Sequence, residues 1–95
     1  MQKFIKKYIK VSPIYVVLIF NNRHIRWEIF KNNQTLLDVL NLIKLKYKVN
    51  TCVVEIYGEI ITNYYSKIKS HMLEKNKNGL DIHIFTKNTT IPKEN

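Results

Sequence analysis

The side chains in this chain that could do chemistry are few and scattered: Cys52, the histidines His24, His71 and His83, and seven carboxylates, among them Asp38. A nucleophilic cysteine needs a neighbour that lowers its pKa, and nothing beside Cys52 in sequence does so. A free cysteine otherwise behaves as a small hydrophobe, and Cys52 falls at an inward position where an extended segment begins. The histidines lack metal-ligand spacing, and Cys52 lacks a second thiol for zinc. His24 and His83 alternate onto the outward faces of strands. Asp38 follows Thr35 by three residues, the spacing of a helix cap rather than of a catalytic carboxylate pair. There is no glycine-rich phosphate loop and no Ser/His/Asp grouping. The sequence thus nominates no catalytic residue, no cofactor-binding residue and no metal ligand. It points away from an enzyme.

What remains is a scaffold, organised around one amphipathic helix over residues 35–47. Leu36, Leu37, Val39, Leu40, Ile43 and Tyr47 recur at three- and four-residue spacing, which keeps them on one face. Thr35 and Asp38 have capping-box form, and an acid in the first turn suits the helix dipole. Every other periodic segment alternates like a strand. Residues 14–20 follow Pro13, which suits a strand's first position. Asn21 and Asn22 tolerate a tight turn, and residues 24–30 then alternate, with Ile25, Trp27 and Ile29 inward and His24, Arg26 and Glu28 outward. A tight Asn turn between them makes a hairpin.

Past the helix, Cys52, Val54 and Ile56 alternate with Val53, Glu55 and Tyr57, and the run stops at a turn containing Gly58. Ile60 and Ile61 either re-enter the core or form a short edge strand. Residues 62–71 are less regular, and Met72 with Leu73 plugs the underside of the sheet. A charged turn ends in Gly79. Leu80, Ile82 and Ile84 then alternate with Asp81, His83 and Phe85 in a last strand. The expected architecture is α+β, a β-grasp (ubiquitin-like) mixed sheet of four to five strands with one helix packed across it. Its domain spans residues 13–86. Residues 1–12 form a basic extension, with Phe4, Ile5, Tyr8 and Ile9 opposite Lys3, Lys6, Lys7 and Lys10, and residues 87–95 a flexible tail.

Composition narrows the class. Ninety-five residues make one domain, and no apolar run is long enough to span a bilayer. One cysteine excludes an internal disulfide and fits a reducing compartment. The formal charge of +9 invites a nucleic-acid reading, yet of the sixteen basic residues only Arg23 and Arg26 are arginine. Lysine, asparagine and isoleucine share AT-rich codons, so much of the charge is read as codon drift on a solvated surface; surfaces selected for phosphate favour arginine's planar fork. The outward aromatics Tyr15, Phe30, Tyr57 and Phe85 suit stacking on single-stranded RNA, a protein-binding patch, or a core covered by the N-terminal extension.

The run of residues 35–61, TLLDVLNLIKLKYKVNTCVVEIYGEII, resembles the thiamine-biosynthesis sulfur carriers, the small ubiquitin-like ThiS proteins. Val54-Glu55-Ile56-Tyr57-Gly58-Glu59-Ile60-Ile61 matches that family's Val-Glu-x-Asn-Gly-Glu-Ile-Val turn, with Tyr57 where the family has Asn. Met72-Leu73, Asn78-Gly79 and Ile82-His83-Ile84 echo later family motifs, with Leu80 in place of an Asp. The resemblance covers roughly residues 14–86 and implies a β-grasp fold. It also implies thiazole synthase or an adenylating enzyme as protein partners. The lysine, asparagine and isoleucine bias resembles plastid-encoded proteins, which implies a chloroplast stroma.

The family's chemistry uses a flexible tail ending in Gly-Gly, whose terminal carboxylate is adenylated and converted to a thiocarboxylate. Glycines let that tail thread a narrow channel. Here the chain's two glycines, Gly58 and Gly79, lie in turns, and the tail ends TKNTTIPKEN. The resemblance therefore implies a carrier relative that is degenerate or acts by protein contact. The alternatives are a β-grasp interaction module with another protein partner and a basic RNA- or ribosome-associated module.

Overall fold

The computed structural model describes residues 13–76 and 79–87. The expectations for residues 1–12 and 88–95 lie outside the described residues. Strand β1 (Pro13–Phe20) pairs antiparallel with β2 (His24–Lys31), and the chain then enters helix α1 (Leu36–Tyr47). Next come β3 (Val53–Ile56), the two-residue β4 (Glu59–Ile60), a 3-10 turn (Ile68–His71) and β5 (Gly79–Phe85). The five strands form one mixed sheet in the order β2-β1-β5-β3-β4, with β1 and β5 parallel at its centre. One helix lies on one face of that sheet. This is an α+β layout consistent with a β-grasp fold.

The helix begins with the capping box that the Thr35/Asp38 spacing predicts. The Asp38 carboxylate accepts the Thr35 N–H at 2.9 Å and the Thr35 hydroxyl at 3.3 Å. Two of the free N–H groups that open any helix are met by a distant segment. Leu36 N–H donates to the Ser66 carbonyl at 3.0 Å and Leu37 N–H to the Tyr64 carbonyl at 2.8 Å. That contact gives the irregular residues 62–71 a fixed seat: Ile68 is fully buried, and its N–H donates to the Gln34 carbonyl at 2.9 Å. The helix stops where Lys48 turns left-handed at φ 60°, and Val49 folds back into the core with its N–H 3.4 Å from the Ile43 carbonyl.

The core is the layer between helix and sheet. Leu36, Val39, Ile43 and Tyr47 from α1 meet Ile14, Val16, Leu18 and Phe20 from β1, and Leu80, Ile82 and Ile84 from β5. The rings of Phe20 and Tyr47 lie 5.2 Å apart in a tilted pair, a favoured aromatic geometry. Leu37 is on the rim of the helix face and 39% exposed, and Leu73 is exposed while Met72 packs against the core. Gly79, expected in a turn, opens β5 opposite Tyr15, where a Cβ would stand 3.5 Å from the Tyr15 carbonyl.

Candidate interaction surface

The hairpin decides which face β2 shows. Asn21 and Asn22 both have positive φ, 51° and 58°, as a tight Asn turn predicts. However, the strands pair Phe20 with His24 and Pro13 with Lys31, so the loop holds three residues, Arg23 included. A two-residue turn would place Ile25, Trp27 and Ile29 beside Leu18, Val16 and Ile14. The extra residue shifts the register by one, and a one-residue shift turns every side chain to the opposite face. The expectation for β2 is therefore inverted. Ile25, Trp27 and Ile29 are 53%, 66% and 64% exposed on the open face, and Phe30, expected outward, is buried at 4%. Arg26 and Glu28 sit half-buried on the helix side, as does His24 at the rim beside Phe20.

Glu28 is thereby recruited to the fold. Its carboxylate accepts the Tyr47 hydroxyl and the Lys46 ammonium, the latter at 2.9 Å. These bonds tie β2 to the last turn of α1. The turn itself is tied to β5: Asn21 N–H donates to the Ile84 carbonyl at 2.8 Å, and its side-chain oxygen accepts Thr86 N–H at 2.9 Å.

The open face of the sheet is consequently apolar on β2 and β1 and mixed beyond them, where β5 and β3 turn Asp81, His83 and Glu55 to it. By register, Ile25, Trp27 and Ile29 of β2 flank Tyr15, Val17 and Ile19 of β1; Phe85 of β5, Val53 of β3 and Ile60 of β4 continue the surface. Tyr15, Val53 and Ile60 are exposed, and Phe85 is half-buried with its ring stacked 6.3 Å from that of His83. Among the described residues the ionised groups on this face are Asp81 and Glu55, with Lys31 at one corner and Lys87 beside Phe85 and Val53. A contiguous cluster of exposed apolar side chains, as on β2 and β1, marks an interaction site more often than an ordinary surface.

Tyr57 adds a second sign. The β3–β4 connection is a two-residue turn, with Tyr57 at φ 51° and Gly58 at φ 81°. Such turns favour Asn-Gly, and a bulky side chain at positive φ is strained. Here the strained position carries a ring that is half exposed.

The candidate chemical residues are not brought together. Among the described residues no group of three or more His, Cys, Asp or Glu could hold a metal ion. His71 faces Ser66 at 2.8 Å, and His83 lies 3.3 Å from the Asn22 side-chain oxygen. Cys52 is half-buried just before β3, in a cleft of about 560 Å³ lined also by Asn21, Thr51, Val53, Phe85, Thr86 and Lys87. Burial pushes the Cys52 thiol up from its ordinary value, opposite to the shift a nucleophile needs. No helix among the described residues is long and apolar enough to cross a membrane. Sequence reasoning missed the Ile25/Trp27/Ile29 surface because the more apolar parity of β2 reads as the inward one. The signal that distinguishes them, the loop length, depends on one residue.

No protein-family model matches this chain. A search of curated proteins finds no match either.

Proposed function

We propose that this protein acts by contact with another protein, as a β-grasp interaction module whose docking surface is the open face of the sheet. The observation that carries this reading is the set of exposed apolar side chains on that face: Ile25, Trp27 and Ile29 on β2, Tyr15 on β1, Val53 on β3 and Ile60 on β4. Asp81, His83 and Glu55 on β5 and β3 interrupt the set. Burying apolar area at about 25 cal/mol per Å² is the main driving force for association, and exposed aromatic anchors such as Trp27 are the side chains that dominate interfaces. The turn at Tyr57 is in keeping with this reading, because backbone strain clusters at binding and switch sites and here it holds a half-exposed ring.

The resemblance of residues 14–86 to the thiamine-biosynthesis sulfur carriers suggests the partner: thiazole synthase or an adenylating enzyme, met in a plastid stroma. The proposed role is contact with such an enzyme and includes no carrier chemistry at a Gly-Gly terminus. RNA binding fits less well. Phosphate contacts need cations, and among the described residues this face carries Asp81 and Glu55 on its strands and lysine only at its margins, Lys31 and Lys87.

The test is co-purification of the full chain with each candidate enzyme, against Val53→Asp and Ile60→Asp variants. Both residues are exposed and lie far from β2, so the variants should fold normally and lose the partner. Unchanged recovery of the partner by both variants would refute the docking surface. A mass gain matching oxygen-to-sulfur exchange, after incubation with the adenylating enzyme, ATP and a sulfur donor, would refute the exclusion of carrier chemistry.

A further inference from the structure

Strand β2 is one rim of the sheet, paired along its length with β1 and with no strand beyond it among the described residues. It is eight residues long and free of proline, and such an edge offers a row of N–H and C=O groups to another strand. Their direction follows from Lys31. Its N–H donates to Gln34 Oε1 at 2.8 Å, and its carbonyl accepts Gln34 N–H at 3.1 Å, away from β1. Alternate residues of an antiparallel strand direct their backbone groups the same way. Ile25, Trp27 and Ile29 therefore present theirs at the rim.

The sequence of that rim is complementary to itself. Read antiparallel about Trp27, Ile25-Arg26-Trp27-Glu28-Ile29 sets Ile25 opposite Ile29, Arg26 opposite Glu28, and Trp27 opposite its own copy. The isoleucines and tryptophan then form a cross-strand cluster on the open face, where aromatic and β-branched neighbours favour pairing. Arg26 and Glu28 lie on the helix side. Inward-facing charges on an edge strand ordinarily deter pairing, but in this register each meets its opposite. A shift of two residues either way sets Arg26 against Arg26 or Glu28 against Glu28. The Arg26 guanidinium now lies over the rim, its Nη1 donating to the Ile25 carbonyl at 2.9 Å, within reach of an incoming strand. The Glu28 side chain is 10% exposed, and its carboxylate can accept one further donor beside Lys46 and Tyr47 on that exposed edge, since a carboxylate has about four lone-pair sites.

We propose that two copies of this chain associate through β2, antiparallel and centred on Trp27, so that their five-stranded sheets become one continuous sheet. The contact is two-fold symmetric, as self-complementary patches require. It leaves the β5, β3 and β4 part of each open face uncovered.

Sedimentation velocity on the full chain at physiological ionic strength, over a range of concentrations, tests this. The expected result is a shift from monomer to dimer mass as concentration rises. R26E alone and E28R alone each set like charges opposite one another and should remain monomeric. Their equimolar mixture restores opposite charges at both contacts and should recover the dimer. Glu28 also holds Tyr47 and Lys46, so E28R could fail to fold. Amide hydrogen exchange then decides with the native chain and R26E. Protection at Ile25, Trp27 and Ile29 should rise with concentration in the first and not in the second. A native chain that stays monomeric overturns the proposal, as does an R26E dimer or a mixture of folded variants that fails to associate. Protection at those three amides that is independent of concentration also overturns it, because another part of the same chain would then occupy the rim.

Discussion

Replacing Ile29 and Phe30 by alanine, one at a time, tests the register on which the interaction surface depends. The two residues are neighbours on one strand, so the difference between them reports the face and little else. Phe30 is 4% exposed beneath α1, and emptying such a site costs about 3–5 kcal/mol through lost transfer energy and the cavity left behind. Ile29 is 64% exposed. Full burial of isoleucine contributes about 1.5–3 kcal/mol, and with about a third of the residue covered the loss should be ~0.5–1 kcal/mol. Urea unfolding followed by far-ultraviolet circular dichroism measures both, at one low protein concentration so that association does not enter the comparison. A two-residue hairpin loop would give the reverse order, with Ile29 the costly position. An Ile29→Ala loss equal to or above that of Phe30→Ala would refute the three-residue loop and the apolar open face with it.

Four further outcomes follow from the same structure. Tyr57→Asn should raise stability by roughly 0.5–1 kcal/mol by relieving an unfavourable positive φ, while weakening partner recovery in the co-purification assay; a stability loss would contradict the strain. Asp38→Ala removes the acceptor of both Thr35 bonds and should cost about 1 kcal/mol in thermal or urea unfolding. Tyr47→Phe should cost about 1–3 kcal/mol, since it deprives the half-buried Glu28 of a donor, and an unchanged unfolding midpoint would show that Lys46 suffices. Burial raises the Cys52 pKa above the unfolded value of 9.0, so the unfolded chain ionises first. Its contribution to stability is then complete below that pH and declines as pH rises through it; iodoacetamide at pH 8 should alkylate the native thiol more slowly than the thiol in urea.

The elements with one-sided patterns were legible in the sequence because burial left no choice. In α1, residues 36, 39, 43 and 47 are apolar at helical spacing, and Leu36, Val39, Ile43 and Tyr47 are all buried. In β5, Leu80, Ile82 and Ile84 alternate with Asp81 and His83, so only one face could turn inward. Strand β2 offers Ile25, Trp27 and Ile29 on one parity and Arg26, Glu28 and Phe30 on the other. The larger apolar sum lies on the parity that the fold leaves outside. Local hydrophobicity could not resolve that, because the choice is made by the pairing of Phe20 with His24 across the hairpin and by the Glu28 contacts to Lys46 and Tyr47, eighteen and nineteen residues away. The chain's periodicities by themselves determine that one helix covers one sheet. Which face of β2 remains outside is a non-local decision: side chains on a strand have a period of two, so a single inserted loop residue reverses them all.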